Sequence, residues 1–167
     1  MPLTFTSQAA PDFETTKPSH WLRRQRQMTL ASLGARADQW VVFNVQETGF
    51  YRVNYDHTNW RLLSRALRDP SHLAVIAATN RAQLVDDALN LARAGHLEYS
   101  VALDVTRYLR HETAYLPWKA ALSAFGYIDS MLVDSGHYDK FKVRAGKSGK
   151  TKPKLQTKSS KAHFEQI

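Results

Sequence analysis

Residues 110–118, RHETAYLPW, contain the beginning of a metal-binding pattern. In the pattern H-E-x-x-H, two histidines on one helical face bind zinc and the glutamate activates the metal-bound water. His111 and Glu112 match the first two positions, but Tyr115 occupies the position of the second histidine. Pro117 also disfavours a helix that continues through this segment. We therefore expect a solvent-facing helix end here rather than a zinc site.

Other residues with catalytic potential also favour structural interpretations. Asp86 and Asp87 form a pair of carboxylates, but adjacent helical side chains point about 100° apart. We expect one of them to face a partner such as Arg81 and the other to face water. The segment RAGKSGKT (144–151) lacks the glycine spacing of a phosphate-binding loop, and no Ser-His-Asp or Cys-His signature is recognisable. The sequence thus predicts no catalytic, cofactor-binding or metal-binding residue in this chain.

The composition indicates an electrically balanced body and a basic end. The 167 residues are 43% hydrophobic, enough for a core, and include no cysteine, which excludes disulfides. No apolar run is long enough to cross a membrane, and residues 1–18 do not have the pattern of a signal peptide. Residues 1–139 contain 14 basic and 14 acidic side chains, whereas residues 140–167 contain nine basic ones and Glu165. We expect residues 140–167 to form a disordered basic tail.

Residues 1–55 have the pattern of β-structure. PLTFTS (2–7) alternates with a period of two, and both WVVFNV (40–45) and FYRVNY (50–55) are rich in β-branched and aromatic residues. The intervening QETG (46–49) predicts a turn in which Gly49 adopts a positive φ. We expect the two flanking segments to pair as a hairpin. Two or three strands are too few for an independent sheet, which indicates the end of a β-domain.

Residues 56–134 show helical periodicity. Asp56 or Thr58 is positioned to cap the first helix, which ends at residues 69–71, Asp-Pro-Ser. Gly95 is expected to end the second helix, and a fourth helix is expected to begin at Pro117 after a third. Antiparallel helices joined by short loops are the expected arrangement. The residues expected to face inward are Trp60, Leu63, Leu67, Leu84, Val85, Ala88, Leu89, Ala92, Val101, Val105, Tyr108, Leu109, Trp118, Ala121, Leu122, Phe125, Ile128 and Leu132.

The stretch WVVFNVQETGFYRVNYDHTNW (40–60) carries the most specific pattern in the sequence. It resembles the zinc aminopeptidases of the aminopeptidase N type, which have FN.Q..G.YRVNYD..NW at this point and then helices. The similarity continues through residues 80–99 and 102–122, and residues 2–22 are similar to insect midgut members. The matching residues of the first stretch are Trp40, Phe43, Asn44, Gln46, Gly49, Tyr51, Arg52, Val53, Asn54, Tyr55, Asp56, Asn59 and Trp60.

The resemblance implies part of a larger enzyme. It assigns residues 1–55 to the end of a small β-sandwich domain and residues 56–139 to the start of a helical, superhelical C-terminal domain that covers the active site. Residues 140–167 depart from the family pattern. The expected fold class is therefore an α+β fragment, in which a β-hairpin remnant of the sandwich precedes antiparallel α-helices. The family's H-E-x-x-H with its downstream glutamate, its G-A-M-E-N loop and its transition-state tyrosine have no matching position here.

By this resemblance, the intact enzyme uses zinc to remove N-terminal residues from peptides at the extracellular face of the plasma membrane. The chain alone is expected to be inactive and to have the remainder of the enzyme as its partner, with no specific nucleic acid. Arg52 and Asp56 are expected to form an ion pair at the domain junction. The residues expected to hold that junction together are Trp40, Gly49, Tyr51, Arg52, Asn54, Tyr55, Asp56 and Trp60.

Two other functions compete with this interpretation. One is a helical interaction module that binds a protein or glycan, as insect midgut relatives bind bacterial insecticidal toxins. The other is binding of anionic polymers by the lysine-rich tail. The tail stands where the family has further helices, so apolar helix faces are expected to be uncovered. The chain is therefore predicted to be marginally stable and prone to aggregation.

Overall fold

The computed structural model describes residues 1–136 and Tyr138. It begins with four short strands that form two antiparallel pairs. β1 (Pro2–Leu3) pairs with β3 (His20–Trp21), and β2 (Phe5–Ser7) pairs with β4 (Val41–Phe43). Two phenylalanine rings face each other at one end of the second pair, with centroids 5.4 Å apart. Such a cross-strand aromatic contact favours this register.

The predicted hairpin between residues 40–45 and 50–55 is wrong. Residues 50–55 form no strand, and β4 pairs with β2 instead. Helical side chains satisfy the opposite edge of β4. The Asn59 amide donates to the Val41 carbonyl at 2.8 Å and accepts from the Val41 N–H at 2.9 Å. Side-chain groups therefore take the hydrogen bonds that a neighbouring strand would supply.

Within the described residues, five α-helices follow the strands, and two short 3-10 segments accompany them. The predicted α+β class, with β-structure before helices, is confirmed, and the β-structure consists of two antiparallel strand pairs. The helices are α1 (His57–Arg68), α2 (Pro70–Leu73), α3 (Ala78–Arg93), α4 (Tyr99–Val105) and α5 (Tyr115–Leu132). The 3-10 segments are Val45–Glu47, after β4, and Thr106–His111, after α4.

Local signals in the sequence set several helix ends. Asp56 caps α1 by accepting a backbone N–H of its first turn at 2.9 Å. Asp69 caps α2 in the same way, and Pro70 occupies the first helical position. Gly95 follows α3 with a φ of 76°, as the predicted helix end requires. α5 begins two residues before Pro117, which tolerates the first turn because its missing N–H has no partner there.

α3 is the central helix and packs against α4 and α5, while α1 packs against α2, α4 and the second 3-10 segment. Most side chains predicted to face inward belong to the resulting core. Leu122 does not, because its side chain is 52% exposed. The inward face of α5 includes Trp118, Ala121, Phe125 and Ile128, as predicted, whereas Leu132 also lies outside the core. The prediction of an inward Leu122 is therefore wrong.

The predicted basic tail, residues 140–167, lies outside the described residues. Among residues 1–136 and Tyr138, no helix combines the length and the apolar composition that a bilayer span requires.

Candidate functional site

The chain leaves β4 through a turn with an unusual backbone. Asn44, Gln46 and Glu47 have φ values of 61°, 55° and 54°, a left-handed region that side chains other than glycine rarely adopt. Asparagine is the residue that best tolerates this conformation after glycine. Asn44 is fully buried, and its amide closes the turn by accepting the Gly49 N–H at 2.7 Å and donating to the Gly49 carbonyl at 2.9 Å. Such strain persists only where surrounding contacts determine it.

Asn80 of α3 supplies the contacts that hold this turn. Its side-chain oxygen accepts the Gln46 N–H at 2.8 Å, and its amide donates to the Asn44 carbonyl at 3.0 Å. The same amide donates to the Gln83 side chain at 2.7 Å. Asn80 is fully buried, so each of these bonds replaces a bond to water. A helix side chain thus fixes the geometry of the turn after β4.

A second group of contacts continues along α3. The Gln83 amide donates to the Phe43 carbonyl at the edge of β4 and, at 3.4 Å, to the Asp87 carboxylate. Asp87 also accepts the Val53 N–H at 3.0 Å. Asn44, Asn80, Gln83, Asp87 and Arg52 therefore form one connected group, which we call the polar junction.

Arg52 is the cation of the polar junction. Its guanidinium donates to Asp87 at 3.1 Å and to Asp86, so both adjacent carboxylates converge on one partner. The predicted pairing of Arg52 with Asp56 is wrong, because Asp56 caps α1 instead. The expectation that Asp86 and Asp87 diverge is wrong as well, since a long arginine side chain reaches both of them. Burial raises the pKa of the Asp87 carboxyl to about 6, against the opposing Val53 N–H and the Arg52 charge.

Three of the predicted junction residues meet in an aromatic cluster. The Tyr55 and Trp60 rings pack edge to face, with centroids 5.0 Å apart. The Trp60 indole donates to the Asn54 side chain at 3.0 Å, and the Asn54 amide donates to the His96 carbonyl beyond α3 at 3.0 Å. The Tyr55 hydroxyl accepts the Phe43 N–H at 3.0 Å. The cluster therefore ties β4, α1 and the end of α3 together.

The remaining predicted junction residues have separate environments. Trp40 is buried and packs 6.4 Å from the Phe13 ring. Gly49 does not adopt the predicted positive φ. Its requirement is steric, because a Cβ there would collide with the Tyr51 ring and lie 3.1 Å from the Asn44 side chain. The Tyr51 carbonyl accepts from the Asn44 amide at 3.3 Å.

The residues around the partial metal motif do not fit zinc. Glu112 is buried, not solvent-facing, and its carboxylate receives two hydrogen bonds from Arg81 at 2.7 and 2.9 Å. The backbone N–H groups of Thr113 and Ala114 also donate hydrogen bonds, both to the same oxygen of the Glu112 carboxylate. Burial opposes ionisation of Glu112, but the Arg81 and backbone hydrogen bonds outweigh it and hold the pKa below its usual value. His111 is exposed, and its ring accepts from Arg110 at 2.9 Å.

Glu112 therefore links α3 to the start of α5. Its prediction as a solvent-facing residue is wrong because Arg81, assigned at first to the aspartate pair, reaches it across the fold. Among residues 1–136 and Tyr138, no three histidine or acidic side chains cluster in a way that could hold a metal ion. We derive no chemistry through zinc from these residues.

Comparison with known proteins identifies the family. Residues 40–150 match the family model described as the ERAP1-like C-terminal domain. The chain belongs to this family. The match includes the polar junction and all five helices.

Individual members of the family show the same relationship. The chain is 46% identical over 128 residues to the membrane alanyl aminopeptidase of Manduca sexta, covering 77% of this chain and 13% of that one. It is 42% identical over 142 residues to the aminopeptidase N of Plutella xylostella, covering 84% and 15%. It is 38% identical over 133 residues to the aminopeptidase N of Rattus norvegicus, covering 79% and 14%. The resemblance to aminopeptidase N is confirmed, and the chain spans about one seventh of these relatives' length.

Sequence reasoning missed Asn80 and Gln83 and did not identify the partners of Asp87, although a signal for all three exists. Asn80, Gln83 and Asp87 lie at positions i, i+3 and i+7, which is the spacing of one helix face. From the sequence alone, that face is interpreted as solvent-exposed, because polar side chains at helical spacing usually lie on the protein surface. Only the packing of α3 against the turn after β4 buries it.

Proposed function

We propose that the chain is a non-catalytic part of a zinc-dependent aminopeptidase that removes N-terminal residues from peptides. Residues 1–55 end its small β-sandwich domain, residues 56–139 begin the helical domain that covers the active site, and residues 140–167 form a basic tail. Zinc and the catalytic side chains come from the remainder of the enzyme, which is the partner of this chain. Membership of the family and the aminopeptidase names of the relatives support this proposal.

The polar junction is the observation that carries the proposal. Its hydrogen bonds join the turn after β4 to α3, so the strand region and the helices have one fixed orientation. A buried polar network stabilises one arrangement only when all its members are satisfied, which makes it suited to setting orientation. A domain that covers an active site needs such a fixed attachment, because small displacements of substrate-contacting surfaces reduce the rate greatly.

The proposed location is the extracellular face of the plasma membrane. Relatives of the chain are named membrane alanyl aminopeptidase and, in Mus musculus, thyrotropin-releasing hormone-degrading ectoenzyme. These names support a cell-surface enzyme as the protein to which this segment contributes.

A chimaera tests the proposed function. The 128 matched residues of the Manduca sexta enzyme would be replaced by those of this chain, and hydrolysis of an aminoacyl chromogenic substrate would be measured. We expect an active, zinc-loaded chimaera. Asn80→Ala should lower kcat/KM at least about tenfold, because it leaves buried groups of the turn unsatisfied. Asn90→Ala is the matched control, since within the described residues the Asn90 side chain bonds to Asp86 of its own helix and not to the turn, and it should change kcat/KM less than about twofold.

Two results would overturn the proposal. One is a chimaera that folds and binds zinc yet does not hydrolyse the substrate. The other is turnover with stoichiometric zinc by the 167-residue chain alone, which would assign the catalytic centre to this segment. The competing interaction function predicts instead that residues 1–139 capture an insecticidal toxin while the chimaera remains inactive.

A further inference from the structure

We propose that residues 21–27, WLRRQRQ, form a binding surface for a linear sulfated polysaccharide; we call this segment the arginine loop. Between residues 15 and 37 the sequence contains five basic and no acidic side chains, although residues 1–139 are balanced as a whole. Arg23, Arg24 and Arg26 supply three of these five charges within four positions. A basic cluster of this density is an electrostatic site for a polyanion.

The arginine loop is exposed but anchored at one end. Trp21 belongs to β3, and the Leu22 N–H donates to the Met1 carbonyl at 2.9 Å. Arg23, Arg24 and Arg26 are all exposed. The Arg23 guanidinium lies 5.7 Å from the centroid of the Trp21 ring, which orients one charge against a fixed side chain.

Ion pairs within the described residues do not use these three charges. Among residues 1–136 and Tyr138, ion pairs engage other arginines, namely Arg36, Arg52, Arg68, Arg81 and Arg107. Within that part of the chain no carboxylate pairs with Arg23, Arg24 or Arg26. Their backbone is also unusual, since Arg24 has a φ of 52°. Within the described residues these three guanidinium groups have no carboxylate partner, so their charge is available to a ligand.

The chemistry of the arginine loop favours sulfate groups on a flexible chain. Guanidinium groups form paired hydrogen bonds with tetrahedral oxyanions. A chain spans at most about 3.6 Å per residue, so the Cα atoms of Arg23 and Arg26 lie within about 11 Å of each other and their side chains can contact one short stretch of a linear polymer. Proteins that bind single-stranded nucleic acid stack successive bases on several aromatic rings, and residues 21–27 contain a single one, the half-exposed Trp21. Segments that bind anionic membranes by charge carry about four to eight basic side chains, and residues 21–27 carry three. The choice of polysaccharide over nucleic acid rests on the cell-surface location proposed above.

Heparin affinity tests this proposal with the full chain. The patch variant carries Arg23→Gln, Arg24→Gln and Arg26→Gln, and the matched control carries Arg61→Gln, Arg65→Gln and Arg110→Gln, three exposed arginines elsewhere. A third variant removes charge from the basic tail by replacing Lys152, Lys154 and Lys158 with Gln. The equilibrium constant would be measured by surface plasmon resonance at several salt concentrations. Desulfated heparin, an RNA homopolymer and phosphatidylserine vesicles serve as comparison probes.

We expect the patch variant to bind heparin at least about tenfold more weakly than the unchanged chain. Its salt dependence should fall by about two to three ion equivalents, one for each lost contact. The control should lose less than about threefold, and desulfated heparin should bind weakly to every variant. An Arg-to-Lys version of the patch keeps the charge and should show an intermediate loss.

Three results would overturn the proposal: equal losses in the patch and control variants, heparin binding that depends on the tail lysines alone, or RNA or vesicles that bind through the patch as tightly as heparin. The experiment requires neither peptidase activity nor a cell surface. Its failure would therefore leave the proposed function of the chain untouched.

Discussion

Asp87 carries an electrostatic cost within the polar junction. Its side chain is 5% exposed, and a carboxylate in such a position loses hydration that its partners must replace. The Val53 N–H and the Arg52 guanidinium replace part of it, yet the pKa of Asp87 still lies at about 6. The polar junction therefore uses a carboxylate that protonates more readily than an exposed aspartate.

The pH dependence of stability should reveal this residue. Between its ordinary pKa of 3.8 and its folded pKa of about 6, the folded state binds more protons at Asp87 than the unfolded state. The contribution of Asp87 to the free energy of unfolding should therefore fall as pH rises through this range, by up to about 3 kcal/mol. We expect Asp87→Asn to remove this decline when chemical unfolding is measured from pH 4 to pH 7.

Asp129→Asn provides the control for that measurement, because Asp129 is an exposed carboxylate of α5. The free energy of unfolding of each variant is compared with that of the unchanged chain at the same pH. Carboxyls with a lowered pKa, such as Glu112, make stability rise with pH, but they are present in both proteins and their contribution cancels. If the free energies of unfolding of the Asp87→Asn protein and the unchanged chain depend on pH in the same way, Asp87 is not the source of the decline.

At the scale of elements, the turn after β4 is held by α3 rather than by its own backbone preference. Its left-handed residues have the conformation that glycine adopts without cost, and Asn80 stabilises them from outside. This arrangement explains the failure of the hairpin prediction. A turn that requires support from a helix does not direct the chain back along β4.

Substitutions at Glu47 measure the strain of this turn. Glu47 is exposed and has a φ of 54°, so its backbone conformation can be tested without removing a buried contact. Glu47→Gly should be more stable than Glu47→Ala by about 1 kcal/mol in chemical unfolding, because a Cβ disfavours the left-handed region. At Arg61, an exposed position of α1, the order should reverse by about the same amount, since alanine favours a helix over glycine. Equal stability of the two variants at position 47 would disprove the strain.

At the scale of the whole molecule, the surface of α5 is unusually apolar for its exposure. Large apolar side chains that are exposed at or just beyond this helix are Tyr115, Leu116, Leu122, Met131 and Val133. Exposed apolar surface promotes self-association when it does not meet a partner. The prediction that the isolated chain is prone to aggregation therefore remains to be tested at this helix.

Polar substitutions on α5 supply that test. Leu122 and Met131 are 52% and 65% exposed, so Leu122→Gln with Met131→Gln removes apolar surface and little core packing. We expect the midpoint of thermal unfolding to change by less than about 3 °C, because surface substitutions rarely alter stability much. Light scattering at fixed concentration should decrease. Lys119→Gln, an exposed polar exchange in the same helix, should leave scattering unchanged. If the double variant aggregates as much as the unchanged chain, the exposed apolar surface of α5 is not the cause of the aggregation.

Local chemistry was readable from the sequence. The caps at Asp56 and Gly95 use only neighbouring backbone, and helical periodicity identified most of the core side chains that the helices contribute. The family was readable as well, since residues 40–60 hold many specific side chains at fixed spacing. These properties depend on contacts between residues that are close in the chain, and a short pattern therefore contains them.

Long-range pairing was decided only by the tertiary structure. Arg52 selects Asp86 and Asp87 over the nearer Asp56, and Arg81 selects Glu112. The spacing of charges along a chain does not determine which charges meet when helices pack. For the same reason, His111 and Glu112 suggested zinc, whereas the fold makes the glutamate an anchor between α3 and α5. Burial explains why these predictions failed. A polar side chain that the sequence pattern places in water must form hydrogen bonds or an ion pair within the protein once packing buries it.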